Sequence, residues 1–349
     1  MKRITANQNT AKISSNGALK KVVIIALEHT AASTVTAPMD AFFLAGRLWQ
    51  VIHQQPANPY FEVVITSFSG EPITCLNGLQ LVPRMSIDCV QDADLVLISS
   101  LTGGVDNDFT AAFTANAPLI PHLQRLYNQG ATLASCCTGA FLLAATGLLD
   151  HKRATTHWGF AKVFTNYFPD VNLQPEKIVT DEGRLLCSGG ANSCIDLCFY
   201  LIQKYCGKDV AVQTAKAVAQ SFGRTSQLPF SHQTLFYDHT DDAIQTVQQW
   251  MNEVYMEPLS VEDMASRVHL SRRTFERRFK KATGEAPGSY LQQLRINQAK
   301  HILETSNKTV NEVAYNVGYD DVGAFTKIFK KYTDLLPGQY RRLYLAAFE

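Results

Sequence analysis

The sequence predicts two domains of different class: an α/β domain built on a doubly wound, mostly parallel sheet, then an all-α domain carrying two helix-turn-helix units. Three observations carry that expectation. From residue 21 to about residue 222, short apolar runs of strand length alternate with longer runs of helical periodicity. Within 258–342 one motif is written twice, and internal repeats outrank other signals. A chain of 349 residues, 46% hydrophobic and 18% charged, is long enough to bury a core in each of two domains.

The first 20 residues are polar, with Asn, Ser, Thr and Lys, and are expected to be a disordered tail. Residues 22–27 are a β-branched run bounded by charge, the pattern of a strand buried on both faces. Residues 38–47 read as an amphipathic helix opened by Pro38. Further strands are expected at 62–68, 79–84 and 95–100, with Asp94 and Gly103-Gly104 as boundary residues. A helix over 119–129 stops at Gly130, a strand follows at 131–136, and a helix over 138–146 closes at Gly147. Helices over 191–205 and 209–222 finish the domain, and 230–240, with three aromatics and two histidines, reads as an ordered connector. The expected boundaries are a tail at 1–20, the α/β domain at 21–228, a connector at 229–241 and the helical domain at 242–345.

In the duplicated stretch, Ser260-x-x-Asp263-x-Ala265-x-x-Val268 returns as Thr309-x-x-Glu312-x-Ala314-x-x-Val317. Phe275-x-x-x-Phe279-Lys280-Lys281, Thr283, Pro287-Gly288 and Tyr290 return as Phe325-x-x-x-Phe329-Lys330-Lys331, Thr333, Pro337-Gly338 and Tyr340. The offset is 49 up to Val317 and 50 from Phe325 onward, so the copies differ by one residue in a turn. Ser260 and Thr309 read as N-caps with an acid three positions on, the capping-box pattern. Turns at 269–271 and 318–320 lead into second helices whose apolar seam is only Phe275/Phe279 or Phe325/Phe329. Such a helix leaves one face free for a DNA groove. A helix from Pro287 to about Thr305 is about 28 Å long at 1.5 Å per residue and holds the two units about one turn of B-DNA apart.

Charge agrees. Residues 272–281 carry six cations against Glu276, while the whole chain is only +1. With 15 basic and 14 acidic residues in 241–349, DNA affinity has to come from local patches. Arg295-Ile296-x-x-Ala299-x-x-Ile302-Leu303, Ala314-x-x-Val317-Gly318-Tyr319 and Pro337-x-x-Tyr340-Arg341 resemble the AraC/XylS transcription regulators over roughly 100 residues. The resemblance implies that Arg273, Glu276 and Arg277 face base edges, with Val322, Gly323 and Thr326 in the equivalent places of the second unit. Arg272, Lys280, Lys281, Lys327, Lys330 and Lys331 are the accompanying DNA-binding candidates. Asp334 stands where that family usually has glycine, so a less tightly closed last turn is expected.

Within the α/β part, the stretch Ala134-Ser135-Cys136-Cys137-Thr138-Gly139-Ala140-Phe141 carries the chemistry. A strand entering a helix through Cys-x-Gly has the geometry of a nucleophile elbow. A cysteine there sits at a helix N-terminus, which favours a thiolate and preferential oxidation. Together with Ala154-Thr155-Thr156-His157-Trp158, the pattern is similar to ThiJ/PfpI-like domains of the class I glutamine amidotransferase superfamily, which implies a flavodoxin-like sheet. Joined to the AraC-type part, residues 20–342 resemble GlxA-type regulators. Enzymatic members of that superfamily place a Glu or Asp four residues before the proline of the first helix. Here that residue is Thr34, so the activating carboxylate is absent and no catalytic residue is expected. Cys137, Thr138, Thr34 and His157 are the expected ligand-binding residues.

Eight cysteines at irregular spacing, with no signal peptide, point to a reducing cytoplasm rather than a disulfide framework. Cys194 and Cys198 lie one helical turn apart, but match no zinc pattern and read as core; Cys136 is likewise read as pointing into the core. No metal or cofactor is expected. No apolar run approaches the roughly 18 residues of a membrane span. The expected function is therefore cytoplasmic, sequence-specific transcription regulation, with a non-catalytic amidotransferase-like domain sensing a small, nitrogen-containing metabolite. The expected partners are double-stranded promoter or operator DNA, a small-molecule effector and a second copy of the chain, with RNA polymerase a further candidate. The alternative is a bifunctional cysteine-dependent hydrolase or hydratase acting on a small nitrogen compound.

Overall fold

The computed structural model describes residues 19–103, 108–231 and 239–344, in two compact units that divide between Thr225 and Ser226. The expected tail, apart from residues 19 and 20, lies outside the described residues, as do Gly104 and residues 232–238 of the expected connector.

The strands of the first unit are β1 (Lys20–Ile25), β2 (Phe61–Ser67), β3 (Ile73–Thr74), β4 (Gln80–Leu81), β5 (Met85–Ser86), β6 (Leu95–Ile98), β7 (Thr132–Ser135), β8 (Arg153–Ala154), β9 (Asn172–Leu173), β10 (Val179–Asp181) and β11 (Leu185–Ser188). Seven of them form one sheet in the order β10-β11-β7-β6-β1-β2-β5. Every pair in it is parallel except β10 with β11 at one edge. The helices are α1 (Ser33–Leu44), α2 (Arg47–Ile52), α3 (Thr110–Asn116), α4 (Ile120–Asn128), α5 (Gly139–Ala145), α6 (Ala161–Tyr167), α7 (Ser193–Cys206) and α8 (Lys208–Ala217).

Alternate residues of the central strands enter two different cores, as a strand period of two requires. Val23, Ile25, Val96, Ile98 and Leu133 pack with Leu123 of α4 and with Phe141 and Phe164. Val22, Ile24, Leu95 and Leu97 pack on the other face with Phe42 of α1 and Leu197 and Leu201 of α7. Both faces are covered, which is why the strands read as unbroken apolar runs. Phe141 stacks on Phe109 at 4.4 Å and meets Phe164 edge-on at 4.9 Å.

Three expectations change. The helix expected to open at Pro38 begins at Ser33, because Thr34 N–H and Thr36 N–H already donate to Ala31 O and Ala32 O, both at 2.9 Å. Pro38 sits inside α1 and denies the Thr34 carbonyl its helical donor. The strand expected at 79–84 is broken at Pro83, which has no N–H to give a ladder. Gln80–Leu81 pairs instead with Ile73–Thr74, and Met85–Ser86 joins the edge of β2. The helix expected over 209–222 ends at Ala217, and the pair β10/β11 and helix α6, unassigned from sequence, add to the unit.

The second unit comprises α9 (Asp242–Val254), α10 (Val261–Arg267), α11 (Arg272–Thr283), α12 (Pro287–Thr305), α13 (Val310–Asn316), α14 (Val322–Thr333) and α15 (Pro337–Tyr344). Both capping boxes form: Ser260 with Asp263, and Thr309 with Glu312. Each is worth about 1 kcal/mol to a seven-residue helix too short to persist alone. Each helix-turn-helix has its own core. Ile244, Met251, Met264, Phe275 and Phe279 close around Tyr290, Leu291 and Leu294 from the first half of α12. Val313, Phe325, Phe329 and Tyr340 close around Ile296, Ala299 and Leu303 from its second half. The connecting helix is thus shared by both cores.

The turn at Asp334 is closed as tightly as its twin. Gly284 ends α11 at φ 83° with its N–H on Lys280 O at 2.9 Å. Asp334 ends α14 at φ 62° with its N–H on Lys330 O at 2.8 Å. Aspartate tolerates the left-handed region better than most side chains, so the expected loosening does not occur.

Candidate nucleic-acid interface and elbow

The second helix of each helix-turn-helix is presented by its own fold signals. Ser271 caps α11 through Thr274 N–H, and Asp321 caps α14 through Gly323 N–H at 2.7 Å. The extra residue of the second unit falls in the turn before Asp321. That turn needs Gly318: at φ 81°, a Cβ there would stand 2.5 Å from Met256 O.

On α11 the side chains of Arg273, Arg277, Lys280 and Lys281 are exposed. Two other arginines of the basic run are engaged within the protein. Arg278 donates to the Asp241 carboxylate at 2.9 and 2.6 Å. Arg272 donates to Glu262 at 2.6 Å and to Glu276 at 3.1 Å. Glu276 is therefore held beside its own helix by an exposed pair of the kind worth at most about 1 kcal/mol. On α14, Val322 packs against the second core and the Thr326 hydroxyl donates to Val322 O at 2.8 Å. Its methyl group and Gly323 remain as a low-polarity face. Lys327, Lys330 and Lys331 are exposed.

In the first unit, β7 runs into α5 through a backbone elbow. Cys137 has φ 56°, and a Cβ on Gly139 would lie 2.3 Å from Ser99 O, so only glycine fits two residues after the cysteine. Cys137 N–H donates to Ser188 O at 3.1 Å, and its carbonyl accepts from the Thr156 hydroxyl at 3.0 Å. The elbow sits at the carboxyl ends of parallel strands, where α/β sheets bind ligands.

Hydroxyls of Thr138 and Thr34 lie among the buried polar groups of this region. The Thr138 hydroxyl accepts from Leu101 N–H at 3.1 Å and donates to Leu101 O at 2.5 Å. Thr34, fully buried, donates to Ala31 O at 2.7 Å, accepts from Ser100 N–H at 3.1 Å and lies 3.0 Å from the Thr30 hydroxyl. The backbone at Ser100–Leu101 thus joins Thr34 to Thr138. His157 stands apart in role: its Nδ1 accepts from Gly159 N–H at 3.0 Å, placing the neutral ring's proton on Nε2, and burial lowers its pKa.

The expected thiolate is not found. Burial pushes the Cys137 thiol up to about 11, against the pull of Thr138 N–H. Desolvation outweighs the helix terminus here, and the proton of the Thr138 hydroxyl already goes to Leu101 O. A disulfide joins Cys136 to Cys194, with Cα atoms 5.3 Å apart and both residues fully buried. This corrects the reading of these two as core thiols. Alternation does send Cys136 away from Cys137, into the face that α7 covers. Cys198, the helical neighbour of Cys194, is a buried free thiol whose pKa burial raises strongly.

Nothing in the sequence pattern singles out Ser100 or Thr30, and Thr156 entered it only as part of the stretch around His157; the three assemble the elbow's surroundings. Their signal is positional: each follows, or faces, the end of a parallel strand.

The model of the DJ-1/PfpI family matches residues 20–204, and that of a helix-turn-helix domain matches 264–343. The chain belongs to the DJ-1/PfpI family and carries an AraC-type helix-turn-helix domain. The transcriptional regulator GlxA of Rhizobium meliloti is 28% identical to this AraC-family regulator over 320 residues, 89% of this chain and 91% of its own. GbdR of Pseudomonas aeruginosa is 26% identical over 280 residues, 79% of this regulator and 73% of GbdR. A ThiJ/PfpI family protein from Pseudomonas syringae shares the fold with a TM-score of 0.51 at 16% identity, covering 76% of this chain and 97% of its own.

Proposed function

We propose that this regulator reads its operator mainly through α11, and that its DJ-1/PfpI domain senses a small, nitrogen-containing metabolite at the elbow without turning it over. The observation that carries the sensing reading is the chemistry around Cys137: a buried thiol that desolvation pushes up to about 11 against hydrogen bonds from Thr138. A general base must hydrogen-bond the proton it removes, and His157 points its lone pair at Gly159 instead. The hydroxyls of Thr34, Ser100 and Thr138 are bonded to neighbouring protein groups and hold the elbow's surroundings in place, but they do not activate a thiol. On the DNA side, Arg273 and Arg277 carry donors suited to guanine, while Lys327, Lys330 and Lys331 suit phosphates. Lys280 and Lys281 add phosphate contacts, and Arg272 with Glu276 braces the start of α11. A homodimer on a two-part operator in the cytoplasm belongs to the same reading.

The purified full chain, incubated with amides and isonitriles, should show no product dependent on Cys137, while small amines or amino acids raise its melting temperature. Turnover at an ordinary enzymatic rate that disappears in Cys137→Ser would overturn the sensing reading and establish the hydrolase or hydratase.

A further inference from the structure

A cavity of about 400 Å³ opens in the first unit between the edge strand β10, helix α7 and the segment 222–225. It shares no lining residue with the elbow, and its size lies in the range of small-molecule sites. Its body is aromatic: the rings of Phe199 and Phe222 stand 6.2 Å apart, with Tyr200 beside them. Its polar groups are fixed and carry both signs. The Asp196 carboxylate, 8% exposed, accepts from Arg224 at 3.2 and 2.5 Å. The Asp181 carboxylate accepts from Tyr200 at 2.7 Å and from Lys204 at 2.9 Å.

A ligand with one net charge meets groups of both signs here and gains little from either. A zwitterion with an aromatic body matches all of them: its ring lies with Phe222 and Tyr200, its ammonium near a carboxylate, its carboxylate near Arg224. We propose that this cavity is a second effector site, separate from the elbow, for a small zwitterion with an aromatic body, of the size of an aromatic amino acid.

The position gives such a ligand a route to the DNA-binding unit along the chain itself. Phe222–Thr225 forms one wall of the cavity and is the last stretch of the first unit. Residues 228–231 are already fastened to the second: Lys300 Nζ donates to Ser231 O at 2.7 Å, and the Tyr344 hydroxyl donates to Pro229 O at 2.9 Å. Occupancy that restrains 222–225 therefore restrains the covalent entry to the DNA-binding unit, fastened from three residues later, a differential effect of the kind allosteric coupling requires.

Isothermal titration of the full chain with L-phenylalanine tests this, with phenethylamine and 3-phenylpropionate as the cation-only and anion-only arms. Two variants localise the binding: Phe222→Ala removes a wall ring, and Gln203→Trp, at an exposed α7 position, fills the cavity. Both positions are exposed, and circular dichroism checks that each variant is folded. L-Phenylalanine should bind saturably to the wild type. Each single-charge analogue should bind at least about tenfold more weakly, the loss of one charge-assisted hydrogen bond. The two variants should weaken L-phenylalanine at least as much. Absence of saturable binding at low-millimolar concentration overturns the proposal. So does equal affinity for a single-charge analogue, or binding unchanged in the folded variants.

Discussion

Lys300 enters the interior of the helical unit 4% exposed, and its ammonium is held by the carbonyls of Ser231 and Leu228 at 2.7 and 3.5 Å. Burial lowers its pKa to about 8 from an ordinary 10.5, with Glu304 opposing. The sign follows from linkage. Below pH 8 the lysine is charged in both states and its desolvation destabilises the fold; between 8 and 10.5 the unfolded chain binds the extra proton, so stability rises with pH. Denaturation of the full chain at pH 7.5 and 10 should show wild type gaining about 2–3 kcal/mol relative to Lys300→Met. Tyr340, 5.9 Å below Lys300, has a pKa raised by burial and then by Glu304, an opposing effect present in both proteins. A difference that stays flat with pH would mean the ammonium is solvated. Residue-scale chemistry of this kind is poorly legible in sequence: Lys300 reads as one more cation on a long helix. The elbow was legible because Cys-x-Gly is a local backbone constraint. Its buried thiol, and a disulfide to a cysteine 58 residues away, depend on what packs over them.

The elements that were legible are those whose causes are local. Capping boxes, Phe-x-x-x-Phe seams and the Pro287 start of α12 fall where the sequence puts them. The two-residue edge strands and β10/β11 did not declare themselves, because edge pairing is decided by a neighbour and not by the strand's own period. Asp334 is the instructive case, since the expected weakness of its turn is absent but its backbone still pays for a left-handed Cβ. Glycine there removes that steric penalty without touching the hydrogen bond to Lys330 O. Asp334→Gly should therefore stabilise the second unit by about 0.5–1 kcal/mol in chemical denaturation. A loss of stability would show that the aspartate carboxylate contributes more than its conformation costs.

For the whole molecule, the duplicated C-terminal motif and the strand–helix alternation foretold both architectures. The residue types also foretold that the two helices proposed to face DNA are unequal, because Arg273, Glu276 and Arg277 stand where the second unit has Val322, Gly323 and Thr326. α11 presents Arg273 and Arg277 beside a braced Glu276. α14 presents a methyl face with its lysines around it, and the Thr326 hydroxyl is already bonded to its own backbone. Arginine on guanine is worth about 1–3 kcal/mol of discrimination, whereas phosphate contacts position the protein without reading sequence. The measurement that bears most directly on this is binding-site selection from random duplexes, run with wild type, Arg277→Ala and Lys330→Ala. The wild type should select a site sharply specified, with G/C pairs, in one half and weakly specified about one helical turn away. Arg277→Ala should relax that sharp half, and Lys330→Ala should weaken all sites alike, lowering the salt slope by about one. Equally sharp preferences in both halves, or an Arg277→Ala protein that loses affinity uniformly with its preference intact, would contradict the account.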